Sequence, residues 1–235
     1  MSGAVALKGW VKRGESPLAR SARAAVSGLR AARLPSVGAV HGPLCRFREA
    51  AGGGLGWLAR AAWWTPLFLT KVETPAPGLR LESGMPLVMG KLRIRLGRDV
   101  RLSGASTLTG RPSSADPVLE VGDNCDIGWQ NTIAVGTRIR LGDNVRLAGR
   151  VFLAGYPGHP IDAADRAAGL PCTADQIGDI ILEDDVWLGT GVTVLAGVRI
   201  GRGTVVGAGS VVTRDLPAGV VAVGVPARAV RSIAR

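Results

Sequence analysis

LEDDVWLGTGVTVLAGVRIGRGTVVGAGSVVTR, residues 182–214, returns an aliphatic side chain every six positions: Leu182, Leu188, Val194, Ile200, Val206 and Val212. Five of the six are followed by a small or polar residue, at Glu183, Gly189, Gly201, Gly207 and Thr213; Leu195 is the exception. Four places after an aliphatic stands another compact side chain, at Val186, Val192, Val198, Thr204 and Ser210. A helix needs apolar residues every three to four positions and a half-buried strand every second, so neither produces a period of six. Short self-similarity at a fixed period marks a solenoid, and six is the period of a β-helix built from hexapeptides. The frequent glycines suit its tight corners, where the backbone takes positive φ.

Working outward, the same register is present upstream. Leu96, Leu102 and Leu108 are six apart, as are Val121, Ile127 and Ile133. After a skip at Ile139-Arg140 the register continues with Leu141, Leu147 and Leu153. The triplets Gly97-Arg98-Asp99, Gly122-Asp123-Asn124 and Gly142-Asp143-Asn144 are turn chemistry, because Asn and Asp tolerate the left-handed region. The Pro- and Ser-rich residues 111–117 read as an external loop, and residues 155–179 (GYPGHPIDAADRAAGLPCTADQIGD) lose the period altogether. A long aperiodic excursion from a compact repeat is commonly functional. This one carries His159, one of only two histidines in the chain. The expected architecture is an all-β domain over residues 85–235, with the 155–179 loop as its active-site insertion.

Residues 1–84 differ in kind. The chain carries 29 Lys/Arg against 18 Asp/Glu, a formal net charge of +11. Twelve of those cations and only three of the acids lie in residues 1–80, so the basic character belongs to the N-terminal third. Such asymmetry points to an anionic surface as its neighbour. Residues 1–14 lack the apolar core and cleavage site of a signal peptide. Pro17 to Arg33 is expected to be a helix with Ser16 as its cap and Pro17 at the first position. Residues 35–56 read as loop, with AGGGLG (51–56) as a flexible joint. WLARAAWWTPLFL (57–69) is far shorter than the roughly 20 residues that span a bilayer. It is expected to cap the solenoid's open end or to touch a membrane interface. The three cysteines, Cys45, Cys125 and Cys172, have neither metal-like spacing nor an even count, so free thiols are expected. No metal is implied.

Three motifs in order resemble a known family: Gly158-His159-Pro160-Ile161-Asp162 with Arg166, then Asp185-Val186-Trp187-Leu188-Gly189, then GAGSVVTRD (207–215) ending in Gly224-Val225-Pro226-Ala227-Arg228. Residues 85–231 are similar to the left-handed parallel β-helix acyltransferases of hexapeptide repeats. The likeness is to the maltose/galactoside and xenobiotic acetyltransferases, and nearest to the polysaccharide-cluster O-acetyltransferases. The resemblance implies a homotrimer with sites between subunits, acetyl-CoA as acyl donor and a sugar or glycan acceptor; the free thiols suit a reducing cytoplasm. It gives no role to nucleic acid. It implies His159 as general base for direct transfer, and imidazole suits that work because its reference pKa, about 6.5, lies near working pH. By the same resemblance Trp187, Thr190, Ala208, Thr213, Arg214, Arg228 and Arg231 would hold the cofactor, the arginines near its phosphates. Asn131 corresponds to a family asparagine that touches the sugar, while Tyr156 and Asp162, which flank His159, would bind the acceptor or orient the imidazole. GYPGHP departs from the Asp- or Thr-rich approach common in the family, which leaves acceptor and imidazole partner open. N-acylation of an amino sugar or antibiotic is the alternative, and a non-catalytic scaffold the third reading. A γ-type carbonic anhydrase needs three zinc-binding histidines, which two cannot supply. The basic leader suggests peripheral contact with the inner face of the cell membrane.

Overall fold

A computed structural model describes residues 3–32 and 35–233. Two compact units divide the chain, Met1–Gly52 and Gly53–Arg235. In the first, α1 (Gly3–Arg13) and α2 (Pro17–Ala31) are followed by α3 (Gly38–Ala59), which ends beyond it. α2 starts as its sequence dictates: Pro17 supplies a helical φ without an N–H, and the Ser16 hydroxyl accepts from the Ala19 N–H at 3.2 Å. Arg33, expected at its end, lies outside the described residues. The loop expected over residues 35–56 is instead helix from Gly38 onward, and AGGGLG lies inside α3. Glycine weakens a helix by about 1 kcal/mol per residue but keeps its N–H. Between Pro43 and Pro66 nothing lacks that donor, so the hydrogen-bond ladder continues.

The second unit is a left-handed parallel β-helix of three sheets. The first stacks Arg80–Glu82, Arg101–Ser103, Asp126–Ile127, Arg146–Leu147, Trp187–Leu188, Val205–Val206 and Val220–Gly224, closed by the antiparallel Ala227–Ser232. Leu87–Met89, Thr107–Gly110, Thr132–Val135, Phe152–Ala154, Thr193–Leu195 and Val211–Val212 form the second. The third holds Arg93–Leu96, Val118–Val121, Arg138–Leu141, Ile180–Leu182 and Arg199–Ile200. Parallel register places the period-six residues in columns. Leu102, Ile127, Leu147, Leu188, Val206 and Ala222 stack inward on one face, and Leu108, Ile133, Leu153, Val194 and Val212 on the next. All six aliphatics of the 182–214 repeat are fully buried.

The corners follow from the triplets. Asp99, Asn124, Asn144 and Asp185 take φ of 55°, 53°, 59° and 61°. The side chains of the last three form a ladder along the axis, Asn124 Nδ2 donating to Asn144 Oδ1 at 2.9 Å and Asn144 Nδ2 to Asp185 Oδ1 at 3.0 Å.

The sheet begins at Arg80, five residues before the expected boundary, and the bridge Val72–Ile94 precedes it. The reason is a built-in cap. Chain order runs from α3 through a π-helical turn (Arg60–Trp64) into a short helix (Thr65–Leu69). Phe68 from that helix is fully buried in the solenoid core, and Trp64 packs against the same cluster. Thr74 Oγ1 accepts from Leu96 N at 2.9 Å and donates to Leu96 O at 2.7 Å, satisfying an otherwise open strand edge. Trp57 and Trp63 remain exposed.

Candidate functional site

Residues 155–178 leave the solenoid after the second sheet and rejoin it at Ile180, opening the corner between the second and third sheets. Backbone contacts fix the base of the loop: Gly155 N donates to Ala134 O at 2.8 Å and Gly178 N to Gly155 O at 3.2 Å. Arg111, from the 111–117 loop, donates through Nη2 to Cys172 O at 2.7 Å and ties the far limb down.

His159 sits on this loop with an exposed side chain. Its backbone is held on both sides. Gly158 has φ +87°, a conformation glycine adopts without strain. Pro160 is buried, and its carbonyl accepts from Arg166 Nη1 at 3.0 Å. Among the described residues no protein group is hydrogen-bonded to the exposed imidazole. Neither expected orienting residue reaches it by a hydrogen bond. The Asp162 carboxylate caps the helix Ala163–Ala167, accepting from Asp165 N at 2.9 Å. Tyr156 lies with its hydroxyl 3.5 Å from Thr109 Oγ1. The position sequence reasoning missed is Arg166 as the anchor of the peptide after His159; its place in the motif was visible, its function was not.

Below the loop a cleft of about 420 Å³ is walled by Tyr156 and Pro157, by Asp175 to Ile177, and by Ala154 and Leu195 to Gly197. Leu195 is the residue that breaks the small-after-aliphatic rule. It is 38% exposed because here the outer surface faces the cleft. Continuing the pairing of Val194 with Val212, Thr213 falls one coil beyond Leu195 and Arg214 follows it, both exposed. Tyr156, Leu195, Thr213 and Arg214 thus mark one track along the corner after the second sheet, the corner from which the His159 loop leaves.

The remaining candidates stand elsewhere. Trp187 is 52% exposed on the outer face of the first sheet. Its column runs through Val205 and Val221 to Arg231, about 14 Å at the ordinary strand spacing. Arg228 pairs with Val223 on the same closing hairpin and is exposed. Thr190 and Ala208 stack on the corner after that sheet, where Gly209 N donates to Thr190 O at 2.8 Å. An added Cβ on Gly189 would lie 2.7 Å from Ala208 N, so small residues here let successive coils meet. On the two preceding coils of this corner are Arg150 and, below it, Trp129, 53% exposed, with the guanidinium 5.9 Å from the indole centroid. Sequence reasoning did not single out this pair, though an exposed tryptophan at a repeat corner was a signal.

Asn131 requires a correction. It is 1% exposed, with Oδ1 accepting from Val151 N at 2.7 Å and Nδ2 donating to Gly128 O at 3.0 Å. Both ends of the amide satisfy backbone inside the coil, so the side chain is structural and does not face an acceptor.

Fold and site define a class, a hexapeptide-repeat left-handed β-helix with a histidine-bearing loop at one corner. Residues 179–214 match the family described as bacterial transferase hexapeptide (six repeats). Galactoside O-acetyltransferase of Lactococcus lactis is 41% identical over 75 residues, 32% of this chain and 34% of that protein. The 2,3,4,5-tetrahydropyridine-2,6-dicarboxylate N-acetyltransferase of Clostridium perfringens is 45% identical over 53 residues, 23% of this chain and 22% of that one. The chain spans 37% or less of the length of the first curated relatives it matches. In fold it is similar to AntD, an N-acyltransferase from Bacillus cereus solved with dTDP and 3-hydroxybutyryl-CoA. That likeness has a TM-score of 0.58 at 18% identity and covers 73% of this chain and 88% of that one. The resemblance to hexapeptide-repeat acetyltransferases read from the three motifs is borne out.

Proposed function

We propose that this protein is an acyltransferase that moves an acetyl group from acetyl-CoA to a sugar hydroxyl of a glycan or glycoside. The observation that carries the reading is the exposed His159, held by Gly158, Pro160 and Arg166 on the one long insertion into the repeat, whose Tyr156 and Pro157 wall a cleft together with Leu195. In the reaction the imidazole takes the hydroxyl proton as the oxygen bonds to the thioester carbonyl carbon. The tetrahedral adduct then collapses with loss of the C–S bond, and the imidazolium returns its proton to the leaving thiolate. The products are the ester and free CoA. General-base assistance of this kind contributes about a hundredfold or more.

Two tracks of candidate residues support a homotrimer. The His159 loop, Thr213 and Arg214 belong to one corner, whereas Trp187, Thr190, Ala208, Arg228 and Arg231 lie on the first sheet and the corner after it. A second-sheet strand of four residues is about 13 Å wide, which separates the two corners within one chain. When the corner of one subunit faces the first sheet of the next, the two tracks line one cleft. There Trp187 would pack on the pantetheine arm, Thr190 and Ala208 would admit it to the backbone, and the arginines would meet the phosphates. Tyr156, on the cleft wall, would contact the acceptor. We assign the reaction to the cytoplasm, near the inner face of the membrane, from the basic first unit.

An amine acceptor is the second reading, favoured by the N-acetyltransferase relative. Thiol release from acetyl-CoA, followed colorimetrically with matched sugars and amino sugars, separates the two. Release with neutral sugars supports O-transfer; release confined to amino sugars, with the product an amide, replaces it with N-transfer. No acceptor-dependent release from protein that binds CoA, on any sugar or amine, would refute both.

A further inference from the structure

In the unit Met1–Gly52, α1 and α2 form a tightly closed hairpin. A Cβ on Gly14, at the turn, would stand 2.6 Å from Trp10 O and 2.8 Å from the Ala19 Cβ, and Ala19 is fully buried. Arg23 locks the pair, donating from Nε to Val11 O at 3.1 Å and from Nη2 to Gly14 O at 2.6 Å. Between the helices opens a groove of about 520 Å³. Leu7, Val11 and Val26 give it an apolar lining, and Lys8, Lys12 and Arg30 bring cations to it. Leu7 is 61% exposed although it lines a concave surface. Among the described residues none of these three cations has an acidic partner, and residues 1–52 contain nine basic side chains against two acids.

The two chemistries together select a ligand. A nucleic acid or other polyanion would use the cations and leave Leu7, Val11 and Val26 in water. An uncharged apolar molecule would leave three cations uncompensated. An anionic phospholipid satisfies both halves, its headgroup with the cations and the upper acyl chain with the aliphatics. No described helix is long and apolar enough to cross a bilayer, so contact would be from the surface. We propose that the α1–α2 groove seats anionic phospholipid and holds the protein against an anionic membrane surface. This stands independently of the acyl-transfer chemistry, which involves none of these residues.

The test is sedimentation of the full chain with vesicles of phosphatidylcholine alone and of phosphatidylcholine mixed with phosphatidylglycerol. Binding should require phosphatidylglycerol and weaken with salt. Each cation near such a surface contributes about fivefold, so Lys8→Gln, Lys12→Gln and Arg30→Gln together should lower affinity about a hundredfold. Ser27→Glu, at an exposed position on the groove, introduces a negative charge independently and should also weaken binding. Val26→Lys separates lipid from simple polyanion attraction: it adds charge but removes apolar lining, and should weaken binding. Far-UV circular dichroism confirms that each variant keeps its helices. No binding by the wild type, equal binding to both vesicles, or stronger binding by Val26→Lys would overturn the proposal. So would equal affinity for a soluble polyphosphate that Val26→Lys strengthens, which would make the groove a polyanion site.

Discussion

Two glycine-to-alanine changes should cost very different amounts, although both lie at solenoid corners. Gly142 has a common backbone conformation, but an added Cβ would stand 2.7 Å from Asp184 N and 2.9 Å from Glu183 C of the next coil. Accommodating it means separating two coils here and breaking three of the bonds that join them. These are Gly142 N to Leu182 O at 2.8 Å, Asp143 N to Asp184 Oδ1 at 2.9 Å and Asn144 Nδ2 to Asp185 Oδ1 at 3.0 Å. At about 1 kcal/mol each, the loss is about 3 kcal/mol. Gly203 is the reverse case: its φ is +66° and nothing lies within 4 Å of an added Cβ. Alanine there meets only the left-handed backbone penalty, about 1 kcal/mol. For a unit of this size each kcal/mol shifts the midpoint by about 2–4 °C. Thermal unfolding followed at the β-sheet signal should therefore fall by about 6–12 °C in Gly142→Ala and by about 2–4 °C in Gly203→Ala. Equal shifts, or a larger one at Gly203, would refute the claim that coil-to-coil approach governs the first site.

Glu73 is held down to about 2 by hydrogen bonds first from Arg93 and then from Arg95. A carboxylate whose folded pKa is depressed stabilises the fold above its unfolded value, about 4.3, and loses that contribution as pH falls towards 2. Glu73→Gln should flatten the acid limb of stability between about pH 5 and 2, measured by urea unfolding at each pH. Asn131→Ala should lower stability by about 1–3 kcal/mol, because it leaves the buried Val151 N–H without its acceptor. Its KM for the acceptor should not change. Mixing His159→Ala with Arg231→Glu, then unfolding and refolding together, should restore part of the activity each lacks alone. A site made wholly within one chain would show no such recovery.

How much of this was readable in advance depends on what each residue answers to. The inward columns from Leu102 and Leu108 obey a local period, and one-dimensional spacing reports them directly. Asn124 and Asn144 were readable for the same reason, since a left-handed corner demands particular residue types. Trp64 and Phe68 suggested a cap by composition, but the early strand Arg80–Glu82, paired with Arg101–Ser103, answers to a three-dimensional edge. Residues 51–56 looked like a joint because glycine frequency says nothing of whether a donor ladder continues. Asn131 was misplaced because a buried amide bonded to Val151 N and Gly128 O looks, in a string, like one offered to a sugar. Leu195 showed the opposite case: one residue that broke the repeat's own rule lines the cleft.

The central claim is that His159 removes the acceptor proton, and acceptor-dependent release of CoA by His159→Ala beside wild type tests it most directly. With both proteins equally folded and binding CoA equally, release by the variant should fall about a hundredfold or more. Release at the wild-type rate from the variant, with the same acceptor, would contradict the account.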